Sequence, residues 1–390
     1  MTDKIPYGKQ YISQEDTAAV VEALHSDFLT QGPRIAEFEK NFAAYIGCKY
    51  ALAVSNGTAA LHLPLLAMGL KEGDHIITTP ITFAASANAA RYCGAQVHFA
   101  DIDPETYVIS VDSVRKLLAR HPRGFFKAIV PVDFTGYPVN LEALKALADE
   151  HGLFILEDAC HSPGGYFIDS AGLKQFCGNG HYADAAAFSF HPVKHIAAGE
   201  GGMITTNNEA LYHKMKMLRT HGITKEQLSY DFPEPGQQGG WYYEMQELGY
   251  NYRITDIQAA LANSQLKRAD AGITRRREIA DRYREAFTGT PIRMQKQEQG
   301  HFNAYHLFVI EVERRKELYD FLAAHQIFAQ VHYIPVHLMP YYRQFGWKPG
   351  DFPHAEHYYR HCISLPMYPT LREEEQAFVI DKILEFVHGK

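Results

Sequence analysis

The chain has no apolar run approaching the length of a membrane span, which excludes a transmembrane helix as its organising element. Positive charge is not in excess either. The 38 basic and 45 acidic side chains leave a formal net charge of -7, which argues against a general electrostatic grip on nucleic acid or an anionic membrane. Cysteine is scarce: Cys48, Cys93, Cys160, Cys177 and Cys362 are scattered and odd in number, and make neither a CxxC pair nor a disulfide framework. That usage fits a reducing cytoplasm. The opening MTDKIPYGKQ has no hydrophobic core, so a secretory signal is not expected. Low-complexity tracts and fixed-period repeats are missing too.

Neither of two common phosphate-binding signatures is met. No GxxxxGK[ST] occurs, so a P-loop is excluded. Gly178-Asn179-Gly180-His181-Tyr182-Ala183 formally matches GxGxxA, but it precedes an expected strand instead of following one. His354, His357 and His361 stand at helical spacing. No acid or cysteine stands at matching spacing beside them, so they read as a solvated helix face and no metal is expected.

What is present is an alternation. Between Tyr50 and about Thr206, short apolar runs alternate with helix-length segments such as Leu141–Glu150. The expected strands are Tyr50–Val54, His75–Thr78, Gln96–Ala100, Ala128–Asp133, Leu153–Leu156, Ala186–Phe190 and Met203–Thr205. The pattern predicts an α/β fold with a mainly parallel sheet covered on both faces. Ligands of such sheets bind in the crevice at the carboxyl ends of the strands. Beyond Gly249 the pattern shifts to a smaller α+β unit. It has helices at Ile254–Lys267 and Arg275–Phe287, strands at His306–Glu311 and Phe328–His332, and terminal helices near Glu356–Cys362 and Glu373–Val387. Glu226–Tyr243, rich in Gly, Pro, Gln and Tyr, reads as a loop.

Four features cluster at the expected strand ends. Ser55-Asn56-Gly57-Thr58 lies between a strand and the helix Ala59–Met68, where free N–H groups bind phosphate; an ordinary N-cap reads the same way. Phe83, in Thr79-Pro80-Ile81-Thr82-Phe83, can cover a flat ring, though a lone Phe more often packs in a core. Asp158 ends the run Leu153–Leu156 and faces the crevice. A carboxylate there can keep a pyridine nitrogen protonated, or be a solvated loop acid. Lys194 follows Phe188-Ser189-Phe190-His191-Pro192-Val193 and precedes Gly199-Glu200-Gly201-Gly202. Its amine can capture an aldehyde as an imine, while a random lysine in a glycine loop is a surface group. Each signal is weak alone. Their common place and order are the parts a pyridoxal phosphate site needs.

These residues resemble the sugar-nucleotide aminotransferases of the DegT/DnrJ/EryC1/StrS type, fold-type I pyridoxal phosphate enzymes. The likeness runs over nearly the whole chain. It is carried by Leu29-Thr30-Gln31-Gly32-Pro33, Ser55–Leu61, Pro80–Asn88, Glu157-Asp158-Ala159-Cys160-His161, Phe188–Lys194, Gly249-Tyr250-Asn251-Tyr252-Arg253 and Val331–His337. The resemblance implies a large cofactor-binding domain over residues 1–248 and a small one over 249–390, with the first ~20 residues packing on the small domain. It implies pyridoxal 5'-phosphate as cofactor, Lys194 as the Schiff-base lysine and Asp158 as partner of the ring nitrogen. Gly57, Thr58 and Ser189 hold the phosphate, Phe83 stacks on the ring, and His161 lies near the ring oxygen. Asn251 reaches the phosphate bound by a neighbouring subunit, so a homodimer with shared sites is expected.

Thr30, Arg253, His332, Tyr333 and His337 are expected near the nucleotide sugar. Arg219 and Arg253 are candidates for the carboxylate of the amino donor, L-glutamate. Cys160-His161-Ser162-Pro163 and the long Tyr166–Tyr182 stretch depart from the family pattern at the rim of the site. Ile5–Gln10, Trp241–Glu244, Asn251–Gln258 and Val331–His337 match most finely the family branch that serves pseudaminic acid biosynthesis. That branch aminates a UDP-linked 4-keto-6-deoxy-N-acetylhexosamine at C4, giving UDP-4-amino-4,6-dideoxy-N-acetyl-β-L-altrosamine. The alternatives are another nucleotide 4-keto sugar, a sugar dehydratase of the same fold, and a non-catalytic homologue. Dehydratase relatives carry His where this chain carries Lys194, and the intact Lys194, Asp158 and Phe83 argue against a non-catalytic role.

Overall fold

The computed structural model describes residues 4–226, 228–229 and 239–389. Its centre is a seven-stranded sheet. In spatial order the strands are Tyr50–Val54, Gly202–Thr206, Ala185–Ser189, Phe154–Asp158, Phe126–Val130, His75–Thr78 and Gln96–Phe99. Gly202–Thr206 is antiparallel to both its neighbours, and the remaining pairs are parallel. Six strands therefore point the same way. Val54, Thr78, Val130, Asp158 and Ser189 all end at one edge.

The strands are apolar on both faces, as a sheet covered on both sides requires. Successive residues serve different cores. Leu52, Val54, Ala185, Ala187 and Ile204 join one cluster with the helix Gly57–Ala67. Ala51, Ala53, Ala186, Phe188 and Met203 join another, built on Phe38 and Phe42 of the helix Pro33–Ile46. A third core gathers Ile279, Tyr283, Ile310, Ile363, Val379 and Ile383 of the C-terminal region. Ile5 joins that core because Ile5–Pro6 pairs in parallel with Ile327–Phe328. The helix Asp256–Leu266 packs on Gln14–Leu24 and on Pro33–Ile46.

All seven expected strands of the sheet exist, and the helix Glu373–Val387 has the expected bounds. The helix expected at Arg275 begins already at Ala269. Ala269 and Ile273 are buried, and this packing carries the helix through Gly272, whose low propensity disguised its start. The strand expected at Phe328–His332 is only Ile327–Phe328. Tyr166–Tyr182 contains a hairpin, Tyr166–Ile168 with Lys174–Phe176, and His301–Phe302 adds a third strand to it. Much of the expected loop Glu226–Tyr243 lies outside the described residues. Among the described residues no helix is long and apolar enough to cross a membrane.

Candidate active site

The carboxyl edge of the sheet opens into a cavity of about 470 Å³, within the usual range for a small-molecule site. Gly57, Thr58, Phe83, Asp158, His161, Ser189 and Lys194 all line it, so these seven expected residues, far apart in the chain, meet in one place.

One end is a helix start. Asn56 accepts a hydrogen bond from Ala59 N–H at 2.8 Å and caps the helix Gly57–Ala67. The first N–H groups, those of Gly57 and Thr58, have no partner in the helix ladder and favour an anion. A Cβ on Gly57 would fall 2.8 Å from Ser189 Cβ and 3.0 Å from its Oγ. Glycine thus lets the hydroxyl of Ser189 close against the helix start.

The middle is set by Asp158, the last residue of its strand. Ser86 Oγ donates to Asp158 Oδ2 at 2.6 Å, and Cys160 N–H donates to Oδ1 at 3.2 Å. The hydroxyls of Thr82 and Ser86 are themselves hydrogen-bonded at 2.6 Å. One turn of chain after the strand His75–Thr78 therefore orients the carboxylate. Above it Phe83 is 62% exposed, a face left open beside the ring of Tyr333, 6.1 Å away.

The other end is basic. Lys194 Nζ lies 3.3 Å from His306 Nε2. Burial, aided by the charge of Arg276, lowers Lys194 from 10.5 to about 8 against the raising influence of Cys160 and Asp158. His161 and His306 are pushed well below the ordinary imidazole range, first by burial and then by Lys194, and so are neutral. His161 Nε2 lies 3.4 Å from the hydroxyl of Tyr333, while its buried Nδ1 has no partner. His195, next to Lys194, donates from Nε2 to the carbonyl of Ala304 at 2.8 Å.

The residues fit a flat phosphorylated pyridine aldehyde. They offer a helix start and hydroxyl for its phosphate, a carboxylate for its nitrogen, an imidazole for its ring oxygen and an amine of lowered basicity for its aldehyde.

The expected sugar contacts divide. His332 and Tyr333 line the cavity, with His332 Nδ1 2.9 Å from Ser364 Oγ. His337 does not. It is fully buried against Phe352, and its Nε2 is 3.1 Å from Glu356 Oε1. Thr30 bridges to Thr255 and Asn251 to Thr220; neither they nor Arg253 lines the cavity. Arg219 is engaged by Glu39 at 2.6 Å and by the carbonyl of Ala53 at 2.7 Å, so it is not free for a donor carboxylate. Tyr7, Ser86 and His306 line the cavity without having been singled out. The Thr82–Ser86 spacing of one helical turn was a signal for Ser86. His306 carried none among 21 histidines.

A lysine, a carboxylate and a helix start at the carboxyl edge of such a sheet define the class of the pyridoxal phosphate aminotransferase fold. Residues 10–384 match the DegT/DnrJ/EryC1/StrS aminotransferase family, and the chain belongs to that family. It is 40% identical to the spore coat polysaccharide biosynthesis protein SpsC of Bacillus subtilis, covering 99% of this chain and 97% of that one. It is 35% identical to a UDP-4-amino-4,6-dideoxy-N-acetyl-beta-L-altrosamine transaminase of Campylobacter jejuni, covering 98% and 97%. Among solved structures, PseC of Helicobacter pylori, an aminotransferase involved in the biosynthesis of pseudoaminic acid, superposes with a TM-score of 0.89 at 31% identity over 100% of both chains. A PLP-form of the sugar aminotransferase Spr1654 of Streptococcus pneumoniae gives 0.89 at 26% identity over 99% of both chains.

Proposed function

We propose that the protein transfers an amino group from L-glutamate to C4 of a UDP-linked 4-keto-6-deoxy-N-acetylhexosamine, with pyridoxal 5'-phosphate as cofactor. The observation that carries this reading is the convergence of Lys194, Asp158 and the helix start at Gly57 in one cavity. The bound cofactor supplies an aldehyde that captures amines and a pyridinium that draws electrons from the carbon being deprotonated. Gly57 and Thr58 N–H and Ser189 Oγ would hold its phosphate. Asp158, oriented by Ser86, would keep the ring nitrogen protonated. Phe83 would cover one ring face, and His161 would lie near the ring oxygen. Lys194 Nζ takes a proton from the α-carbon of the donor and later delivers one to C4 of the sugar, from one side only. His332, Tyr333 and Tyr7 form the wall nearest the sugar.

Asn251 lies outside the cavity of its own chain, in keeping with service to a second copy. Phe28, Trp241, Tyr243, Met245 and Leu248 are exposed apolar side chains. A homodimer with shared sites would cover them. The five cysteines are unpaired, which supports a reducing cytoplasm.

The family resemblance and the 35% identity to the altrosamine transaminase support the L-configured ketone of the pseudaminic acid pathway. The 40% identity to the spore coat protein favours a second reading, a nucleotide 4-keto sugar destined for another surface polysaccharide. The test presents the L- and D-configured UDP-ketones separately, compares kcat/KM, and identifies products by NMR. Preference for the D-ketone, or for a sugar without the acetamido group, would overturn the first reading. Lys194→Ala should abolish turnover with either ketone while leaving the fold intact by circular dichroism.

A further inference from the structure

Outside the cavity, the strand Phe308–Glu311 pairs antiparallel with Cys362–Leu365, and the register sets Glu311 opposite Cys362. The preceding helix, Pro353–His361, runs directly into that strand. The pairing therefore brings Glu311 beside His361, and beside His357 one helical turn earlier. The nearest donor atoms of Glu311, His357 and His361 all lie within 4.8 Å of one another. We propose that these three residues form a binding site for a divalent transition ion, with zinc the fitting metal.

The chemistry of the set is that of a three-ligand zinc site, two imidazoles and a carboxylate. The orientation of two of the three ligands, His361 and Glu311, is already arranged. His361 Nδ1 is 2.8 Å from the carbonyl oxygen of His357, which can only accept. Nδ1 therefore carries the proton, and the lone pair of His361 sits on Nε2, as a metal ligand requires. Glu311 is 5% exposed; its Oε1 accepts from the hydroxyl of Tyr107 at 2.5 Å and lies 3.7 Å from Arg293 Nε. Its Oε2 is left towards His357 Nε2, 3.7 Å away. Glu313, on the same strand connection, places Oε2 3.6 Å from His361 Nε2 and can supply a fourth ligand in place of water. In a tetrahedral site two ligands held at about 2.1 Å from one ion lie about 3.4 Å apart. Closing on the ion thus needs a movement of at most about 1.4 Å from the present spread. The exposed His357 can make that movement.

The site would act as a clasp between helix and strand. Cys362–Leu365 carries Ser364, the partner of His332 in the cavity wall. The ion braces that wall and takes no part in the transfer reaction.

The experiment uses the full-length, tag-free holoenzyme after removal of metal with a chelator. Cobalt(II) is titrated and its d–d bands are read beyond the cofactor absorption, then zinc is added to displace it. The expected result is one cobalt per chain with tetrahedral bands, displaced by zinc, and a raised melting temperature with zinc. His357→Ala and His361→Ala should each remove the bands. Tyr107→Phe, which loosens the carboxylate, should weaken binding about tenfold. His354→Ala, on the same helix but outside the cluster, should bind as the unaltered protein does. The proposal is overturned if the unaltered protein shows no bands in large metal excess. It is equally overturned if the bands survive in His357→Ala and His361→Ala. Retained circular dichroism and turnover in both variants separate loss of the site from loss of fold.

Discussion

The amine of Lys194 lies 3.3 Å from Nε2 of His306, beneath a cavity shared with Asp158. A neutral imidazole is a partner for the amine that does not stabilise its charge as a carboxylate would. Burial, aided by the charge of Arg276, leaves the amine at about 8. The pH behaviour of Lys194 follows directly. In cofactor-free protein the amine is protonated and unreactive below that value, and free above it. The rate of pyridoxal phosphate capture, followed by absorbance, should rise through a midpoint near 8. A midpoint at the ordinary lysine value of 10.5 would show that burial leaves the amine unaltered.

Ser86 holds the carboxylate of Asp158 by a hydrogen bond to a charged group, a contact worth about 1.5–3 kcal/mol. Ser86→Ala should lower the half-reaction rate with L-glutamate by about tenfold or more, with the fold intact. Asp158→Asn should cost more, because it removes the charge that would keep the ring nitrogen protonated. The comparison is made at saturating cofactor. Rates equal to the unaltered enzyme in Asp158→Asn would make the acid purely structural.

Glu157, one residue before Asp158, turns to the opposite face of the sheet. There it is fully buried beside Asp133 and Cys177, with Oε2 accepting from Gly178 N–H at 2.9 Å. Burial, then the charge of Asp133, raises it well above 4.5. Asp133 accepts from Ser162 Oγ at 2.6 Å and from Val139 N–H at 2.9 Å, so Glu157 is the group that keeps the proton. A carboxyl whose folded pKa is raised contributes stability below its unfolded value and loses it as pH rises through the folded value. Glu157→Gln cannot ionise. Its melting temperature relative to the parent should therefore climb as pH is raised from about 5 to about 9. A constant difference across that range would mean that Glu157 does not titrate there.

Mixed dimers test the sharing of sites. Lys194→Ala and Asn251→Ala chains should each be inactive alone. A verified heterodimer should recover activity, since one of its two sites combines the intact Lys194 of one chain with the intact Asn251 of the other. Heterodimers without activity would remove Asn251 from the partner's site.

Much of the site was legible before any fold was known, because its parts occupy strand ends, and strand ends are marked by local pattern. Apolar runs stop at Val54, Thr78 and Leu156, and polar or glycine residues follow at once. Ligands of a parallel sheet gather at that edge, so Gly57, Phe83, Asp158 and Lys194 could be assembled without coordinates. His337 shows the limit. It belongs to the same motif as His332 and Tyr333, yet the chain turns at Pro335 and carries its ring into the core against Phe352. Motif membership does not report the direction of a side chain.

The sequence by itself determined the alternation of strand and helix, the sheet and the chemistry-bearing residues at its edge. These rest on local periodicity and on residue type. Only the tertiary structure decided which histidines meet the lysine, which serine steers Asp158 and which acid meets His357 and His361. Each depends on pairs far apart in the chain. Lys194 meets His306 across 112 residues, and Ser86 meets Asp158 across 72. Glu311 reaches the helix of His357 only through the register of Phe308–Glu311 with Cys362–Leu365. Such contacts are set by packing and strand register, which no short window of sequence contains.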